Sequence, residues 1–225
     1  MDLRFFEIYR NPDYIQLLVE GAGMSIALTL LGGVSGFIFA VVLAANRYFA
    51  IPVLNQLSAA YVDFIRNTPL IVQLFFVAFG LPLLFGYAWP FWAHALLALM
   101  LNFSAYFAEI IRSGLASVPV GQTEAAKALG MRSPLMFVRI ILPQAIAKMY
   151  PSLNSQFIFL FLTTGIIAQI GVTDLTNAGL FIDSRTFRSF EVFITLTVMY
   201  LAIALTFKAL LNWLFHLSFS WAVVR

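Results

Sequence analysis

The chain has 225 residues, of which 62% are hydrophobic and 10% are charged, and its mean hydropathy is +0.93. One soluble core cannot bury so many apolar side chains, so the composition predicts an integral membrane protein. The net charge of +3 comes without a basic tract, which argues against nucleic-acid binding, and the absence of cysteine excludes disulfides and thiolate metal sites.

The first twenty residues mix charged, aromatic and aliphatic side chains. They lack the basic start and continuous apolar core of a removable signal peptide. We therefore interpret residues 1–19 as an amphipathic helix that lies at the membrane interface.

Uncharged stretches in the remaining chain predict an all-α protein with five transmembrane helices. The stretch 67–108 is too long for one span, and we expect a hairpin to divide it in two. The turn residues expected to form that hairpin are Gly80, Pro82, Gly86 and Pro90. The other predicted spans are 21–46, 149–173 and 190–213.

Five spans place the two termini on opposite sides of the membrane, and the loop charges then predict the orientation. The connection 112–148 carries five basic residues and one acidic residue, whereas the first twenty residues carry two basic and four acidic ones. The loop 173–191 is also slightly acidic. Since basic loops stay in the cytoplasm, we expect an external N-terminus, a cytoplasmic connection and a cytoplasmic C-terminus.

Residues 119–143 form a polar, alanine-rich connection with signals for two short helices. Good helix formers at 124–129 precede Gly130, which is typical of the left-handed residue that ends a helix. Ser133 and Pro134 predict the N-cap and first turn of a second helix, and we expect Pro143 to end it.

The alanines of the first of these helices allow a close approach to a partner. Ala125 and Ala126 have no side-chain entropy to lose, while Glu124 and Lys127 can set the orientation of docking. An exposed amphipathic connector without a partner is the alternative interpretation.

Several motifs together resemble one family of proteins. Glu124-Ala125-Ala126, then Gly130 and Leu142-Pro143, are similar to the EAA loop of permease subunits in ATP-binding cassette (ABC) importers. The branch resembled is that of polar amino acid permeases, such as those for histidine, glutamine and glutamate. Its flanking motifs occur here as AEIIR (108–112), VPVGQ (118–122), ILPQA (141–145), FIRNTPL (64–70) and SRTF (184–187).

The resemblance implies a type I ABC importer permease fold over residues 20–215, with a cytoplasmic coupling loop at 113–148 and a cytoplasmic tail at 216–225. It also implies that the chain forms half of a translocation pathway in the bacterial inner membrane and works by alternating access. The residues expected to contact the ATPase are Gln122, Glu124, Ala125, Ala126 and Gly130.

The partners implied by the resemblance are a dimer of cytoplasmic ATPases, a second permease subunit that is identical or similar, and an extracytoplasmic solute-binding protein. The chain contains no GxxxxGK[ST] loop, so we expect ATP and Mg²⁺ to bind the partner ATPase and this chain to hold no cofactor. His94 and His216 lie outside any catalytic or metal-ligand pattern, so we expect no enzymatic site.

Polar side chains inside the predicted spans are candidates for the substrate pathway. An unpaired polar group in lipid is costly, so these side chains should face other helices or a cavity. They are Gln73, Asn154, Gln156, Thr163, Thr164 and Gln169. Hydrogen bonding between helices is the alternative role. Many family members carry a Lys-Asp pair where this chain has Leu162 and Thr163, so the cargo is left open.

Further polar residues are interpreted as structural. Arg66 is expected to anchor the membrane interface and Pro69 to open the second span, while Glu109 and Arg112 have the spacing of an ion pair on a helix. Charges in the loop 173–191 are candidates for contact with the binding protein, with a solvated surface as the alternative: Asp174, Asp183, Arg185, Arg188 and Glu191.

Two other functions remain open. The first is an ABC importer for another small polar solute. The second is a secondary transporter or channel that works alone, although the interiors of the first four predicted spans lack the ionisable residues that ion coupling uses, and no internal repeat is evident.

Overall fold

The computed structural model describes residues 3–220, which contain helices and no β-strand. The elements in chain order are α1 (Phe6–Tyr9), α2 (Pro12–Tyr48), α3 (Leu54–Arg66), α4 (Leu70–Phe75), a π-helix (Phe76–Gly80), α5 (Leu81–Phe85), α6 (Phe91–Ala116), α7 (Val120–Ala128), α8 (Ser133–Met136), a second π-helix (Phe137–Ile141), α9 (Leu142–Thr163), a 3₁₀-helix (Thr164–Ile170), α10 (Leu175–Thr186) and α11 (Ser189–Ser218).

Four helical stretches are long and apolar enough to cross a membrane. They are α2, α6, the continuous stretch Ser133–Ile170 and α11. A fifth candidate is the pair formed by α3 and the stretch Leu70–Phe85, which are bent by 106° relative to each other. The all-α, multi-span architecture expected from the sequence is therefore confirmed, with four spans or five when the bent pair counts as one.

The turn between the second and third predicted spans is shorter than expected. Gly86, with φ of +68°, ends α5, and α6 begins at Phe91. Gly80 and Pro82 lie inside the helical stretch and do not take part in the turn.

Pro143 does not end a helix, which corrects the expectation from the sequence. A proline inside an α-helix clashes with the carbonyl four residues before it. Here the π-helix Phe137–Ile141 displaces that carbonyl, and the Leu142 N–H donates to the Phe137 carbonyl five residues back. Pro82 is likewise the second residue after a π-helix, Phe76–Gly80. A preceding π-helix therefore accommodates both prolines.

The described residues divide into two compact units. The first unit contains residues 3–34, 69–100 and 157–209. Its core joins α1, the start of α2, α10 and the start of α11. The buried apolar residues are Ile8, Leu18, Ala22, Leu175, Ala178, Ile182, Val192 and Leu196.

The N-terminal segment differs from the single interfacial helix predicted over residues 1–19. Within residues 3–19 the structure has the four-residue α1 and then the beginning of α2, because the apolar side chains of Ile8 and Leu18 pack into protein. Polar contacts support this packing, since the Tyr9 hydroxyl lies 2.8 Å from Thr195 Oγ1. Met1 and Asp2 lie outside the described residues.

The second unit contains residues 35–68, 101–156 and 210–220. The Tyr61 hydroxyl of α3 lies 2.8 Å from Ser104 Oγ on α6, and Phe137 packs against Tyr48 and Phe49 at 5.2 Å between ring centroids. In this unit α11 ends at Ser218. Most of the predicted tail 216–225 is therefore helical or lies outside the described residues, which stop at 220.

Candidate coupling loop and substrate pathway

The helix predicted around Glu124 is present as α7. The Leu129 N–H donates to the Ala125 carbonyl at 3.1 Å, and the Gly130 N–H donates to the Lys127 carbonyl at 2.9 Å. Gly130 has φ of +72°, so the predicted left-handed residue after the helix is confirmed. Glycine suits this position because a side chain strains a left-handed backbone.

The second short helix starts one residue differently from the prediction. Arg132 is its N-cap, and Ser133 is already helical without a side-chain capping bond. Pro134 lies in the first turn as expected, where its missing N–H costs nothing.

The predicted coupling residues separate into an exposed set and one buried residue. Gln122, Glu124, Ala125 and Gly130 are exposed, whereas Ala126 is only 4% exposed and packs against its own chain. Ala126 therefore supports α7 from beneath, and its neighbours form the surface that a partner can reach.

Two exposed apolar residues extend this surface, and the sequence interpretation missed them. Val120 begins α7 and is 70% exposed, and Leu129 follows α7 and is 82% exposed. Their position at the two ends of the alanine-rich helix was visible in the sequence, but no periodic pattern distinguished them from core residues. Together with Ala125 they give the loop an apolar docking surface.

The loop is fixed at its base by close contact of the two flanking helices. The Lys148 ammonium donates to the Ser117 carbonyl at 2.6 Å. A Cβ at Gly114 would lie 2.8 Å from the carbonyl oxygen of Ala145, so only glycine permits this approach. The two contacts therefore join α6 and α9 at the base of the loop.

The ion pair predicted between Glu109 and Arg112 is present in the second unit. Arg112 Nε donates to both carboxylate oxygens at 3.0 Å. Arg47, from α2, adds a bond of 3.1 Å to Glu109, which the sequence did not predict because 62 residues separate the two. Arg66 stacks over the Tyr106 ring at 5.5 Å, and Pro69 is the N-cap of α4, just before its first turn.

Two of the six pathway candidates are buried and make hydrogen bonds within the chain, and the partly exposed Thr163 also donates, from its Oγ1 to the Phe159 carbonyl at 2.5 Å. Asn154 Nδ2 donates to the Tyr150 hydroxyl and to Asn212 Oδ1, both at 3.1 Å. Thr164 is fully buried and its hydroxyl donates to the Phe161 carbonyl at 2.7 Å. Thr164 therefore supports the packing alternative, whereas Asn154 is only partly satisfied, because its Oδ1 is buried and has no hydrogen-bond partner among residues 3–220.

The other four candidates are more accessible. Gln73, Gln156 and Thr163 are partly exposed and Gln169 is exposed. The Nε2 atom of Gln156 is buried and has no hydrogen-bond partner among residues 3–220. The structure also packs α4, which carries Gln73, against the 3₁₀-helix that carries Thr164 and Gln169. A 3₁₀ segment that continues an α-helix often marks a hinge.

Most of the loop charges proposed for binding-protein contact are engaged by the chain itself. Asp183 accepts from Ser189 at 2.8 Å, Arg188 pairs with Glu7 at 3.4 Å, and Glu191 accepts from the Arg4 backbone at 3.0 Å. Arg185 stacks over the Phe181 ring at 5.3 Å. Asp174 is fully buried. Asp174 and Glu191 are buried, so the alternative of a solvated surface does not hold for these two, and contact of the other charges with a binding protein stays a prediction.

Asp174 is the N-cap of α10, and the pKa of its carboxyl is raised. Its Oδ1 accepts from the Asn177 N–H at 2.9 Å, while its Oδ2 is buried and has no hydrogen-bond partner among the described residues. Burial raises the pKa of this carboxyl from 3.8 to about 6. The folded state thus binds the proton more tightly than the unfolded state does.

This shift predicts a pH-dependent stability. The contribution of Asp174 to the free energy of unfolding should fall by about 3 kcal/mol as the pH rises from about 4 to 6. Above pH 6 it should stay constant. Asp174→Asn keeps the cap and removes the titration, so its thermal unfolding midpoint should exceed that of the wild type at pH 8 and match it near pH 4. Equal pH profiles for the two proteins would contradict this prediction.

A family model described as "Binding-protein-dependent transport system inner membrane component" matches residues 36–217. The chain belongs to this family. It is 34% identical to the L-cystine transport system permease protein TcyL of Bacillus subtilis, over 95% of this chain and 90% of the relative. It is 35% identical to the glutamine transport system permease protein GlnP of Escherichia coli, over 88% of this chain and 91% of the relative.

A solved structure described as an amino acid ABC transporter with histidines has the same fold. Its TM-score is 0.82 at 34% identity, with 95% of this chain and 98% of that chain covered. The permease is thus a multi-pass inner-membrane subunit of an ABC importer, and ATP hydrolysis belongs to a partner subunit. Members of the family work with ATPase and binding-protein partners.

Proposed function

We propose that this permease carries a polar amino acid into the cell. The observation that supports the cargo most strongly is the similarity over nearly the whole chain to permeases named for cystine and glutamine, together with a TM-score of 0.82 to an amino acid transporter. The chain forms half of the pathway, with an identical or similar permease as the other half.

The coupling step is assigned to α7 and its two ends. Two cytoplasmic ATPases bind ATP with Mg²⁺ and draw the docked α7 helices of the two permeases together. Glu124, Ala125, Gln122 and Gly130 form the exposed contact, with Ala126 as support. The movement passes to α6 and α9 and rocks the bundles between outward and inward states.

The orientation proposed for the chain places α7 in the cytoplasm and the loop between α10 and α11 outside. The basic character of residues 112–148 supports it. A solute-binding protein would then deliver the amino acid at the external side.

An uptake comparison tests the cargo class. Cells that lack the gene are compared with complemented cells for uptake of labelled polar amino acids and of labelled sugars. We expect the deletion to abolish high-affinity uptake of at least one amino acid. Unchanged amino acid uptake with loss of another polar solute would instead establish the alternative importer.

Gln156 is the pathway residue for which we expect a separable effect. Gln156→Leu removes a buried amide that lacks a partner within residues 3–220, so the isolated chain should be as stable as the wild type or more stable. If the substrate accepts a hydrogen bond from this amide in the wild type, uptake by the Gln156→Leu variant should be about tenfold lower. Thermal unfolding and uptake are measured on the same variant, and unchanged uptake would remove Gln156 from the pathway.

Asn154→Leu is the matched control. Asn154 Nδ2 donates to both Tyr150 and Asn212, whereas only its Oδ1 lacks a partner among residues 3–220, so losing the two bonds should lower the unfolding midpoint, which is the opposite of the effect at Gln156.

A further inference from the structure

A basic cavity lies in the second unit where α2, α3 and α6 meet. Its volume is about 320 Å³, at the lower end of the range of small-ligand sites. Its polar lining consists of Arg47, Tyr48, Asn55 and Arg112, and Ala44 and Leu115 contribute apolar wall.

The charges at this cavity do not cancel. Glu109 accepts from both Arg47 and Arg112, which leaves one net positive charge in the cluster, and Arg66 also acts electrostatically on Glu109. The bonds to Glu109 use Arg47 Nη1 and Arg112 Nε and Nη2, which is three of the six guanidinium nitrogens of the pair. The side chains of Arg47 and Arg112 are 22% and 42% exposed. The cavity therefore offers guanidinium donors to an anion.

The level of Arg47, Glu109 and Arg112 relative to the membrane indicates which anion these arginines would meet. Arg47 is the first charge after the uncharged residues 21–46 of α2, and Glu109 is the first charge after the uncharged residues 91–108 of α6. Both helices therefore pass from hydrocarbon to headgroups at this level. Phospholipid phosphates occupy the same level, and guanidinium forks fit phosphate oxygens.

An alternative role for Arg47 is to offset the partial negative charge at the C-terminus of α2, where it lies in the last turn. One arginine would suffice for that role. It does not explain a second guanidinium on the same cavity or the presence of Asn55 in its lining.

We propose that this cavity binds the phosphate of an anionic phospholipid, with Arg47 and Arg112 as the charged donors and Glu109 as the carboxylate that competes with the phosphate for them. The lipid would brace the junction of α2 and α6 just before the coupling loop. This inference does not depend on the identity of the cargo.

Native mass spectrometry of the full chain in neutral detergent tests the proposal with phosphatidylglycerol as the probe. Arg112→Gln should lower the bound fraction about tenfold, since a charge-assisted contact is lost. Glu109→Gln should raise it severalfold, because it removes the competing carboxylate and keeps an acceptor for the arginines. Arg139→Gln, which removes an exposed arginine away from the cavity, should change it less than about twofold.

The opposite directions expected for Glu109→Gln and Arg112→Gln exclude misfolding as a common cause. Phosphatidylcholine carries the same phosphate but no net charge, so it should bind more weakly than phosphatidylglycerol and lose less binding on Arg112→Gln. The proposal is overturned if Arg112→Gln and Arg139→Gln bind phosphatidylglycerol equally, or if Glu109→Gln weakens binding. Displacement of the lipid by inorganic phosphate would show instead that the site serves a soluble phosphate compound.

Discussion

Replacing Ala125 with arginine is expected to abolish ATP-driven transport while the permease still folds. Ala125 is exposed on α7, and a long charged side chain there would hold the ATPase away from the helix. Since such contacts depend on close approach, we expect the affinity for the ATPase to fall at least about tenfold, or about 1.4 kcal/mol. Co-purification of the ATPase with the permease from detergent-solubilised membranes measures this loss of affinity.

Ala125→Ser is the matched control at the same position. Serine adds one oxygen atom and should leave ATPase co-purification and transport nearly unchanged. If Ala125→Arg also keeps the ATPase and the transport rate, α7 is not the docking element.

Replacing Gly21 with alanine is expected to cause a large loss of stability, because the atoms that an added methyl meets belong to the backbone and not to a side chain that can rotate. A Cβ at Gly21 would lie 2.7 Å from the Asp174 carbonyl oxygen and 3.0 Å from the Leu175 Cα, so backbone must move. The same junction contains the bond from the Leu175 N–H to Ser25 Oγ at 3.2 Å. We expect a cost of about 1–3 kcal/mol and a clearly lower thermal midpoint.

Gly23→Ala provides the comparison within the same helix. No atom lies within 4 Å of a Cβ built there. Its midpoint should equal or exceed that of the wild type, because alanine favours a helix over glycine by about 1 kcal/mol. Equal losses for the two variants would show that α2 does not approach α10 as closely as the structure places it.

The sequence predicted the features that depend on local composition and spacing. Long uncharged stretches specify spans, Gly130 ends α7 in a left-handed conformation, and Glu109 pairs with Arg112 three residues later on one helix face. Each of these follows from residues that are close in the chain, so no tertiary information was needed.

The features that the sequence did not predict depend on contacts between residues that are far apart in the chain. Arg47 reaches Glu109 from another helix, and the N-terminal segment packs on α10 and α11 through Ile8 and Leu18. Pro143 continues the helix after a π-helix, and periodicity does not indicate a π-helix. Asp174 looked like a surface charge until burial against the chain was visible.

The most direct test of the account is uptake of a labelled amino acid into proteoliposomes that contain the purified permease–ATPase complex. We predict uptake only when ATP and Mg²⁺ are present on the ATPase side and the binding protein is present on the other, and no uptake with a non-hydrolysable ATP analogue. Uptake by the permease alone, without ATP, would contradict the account and indicate a secondary transporter or channel.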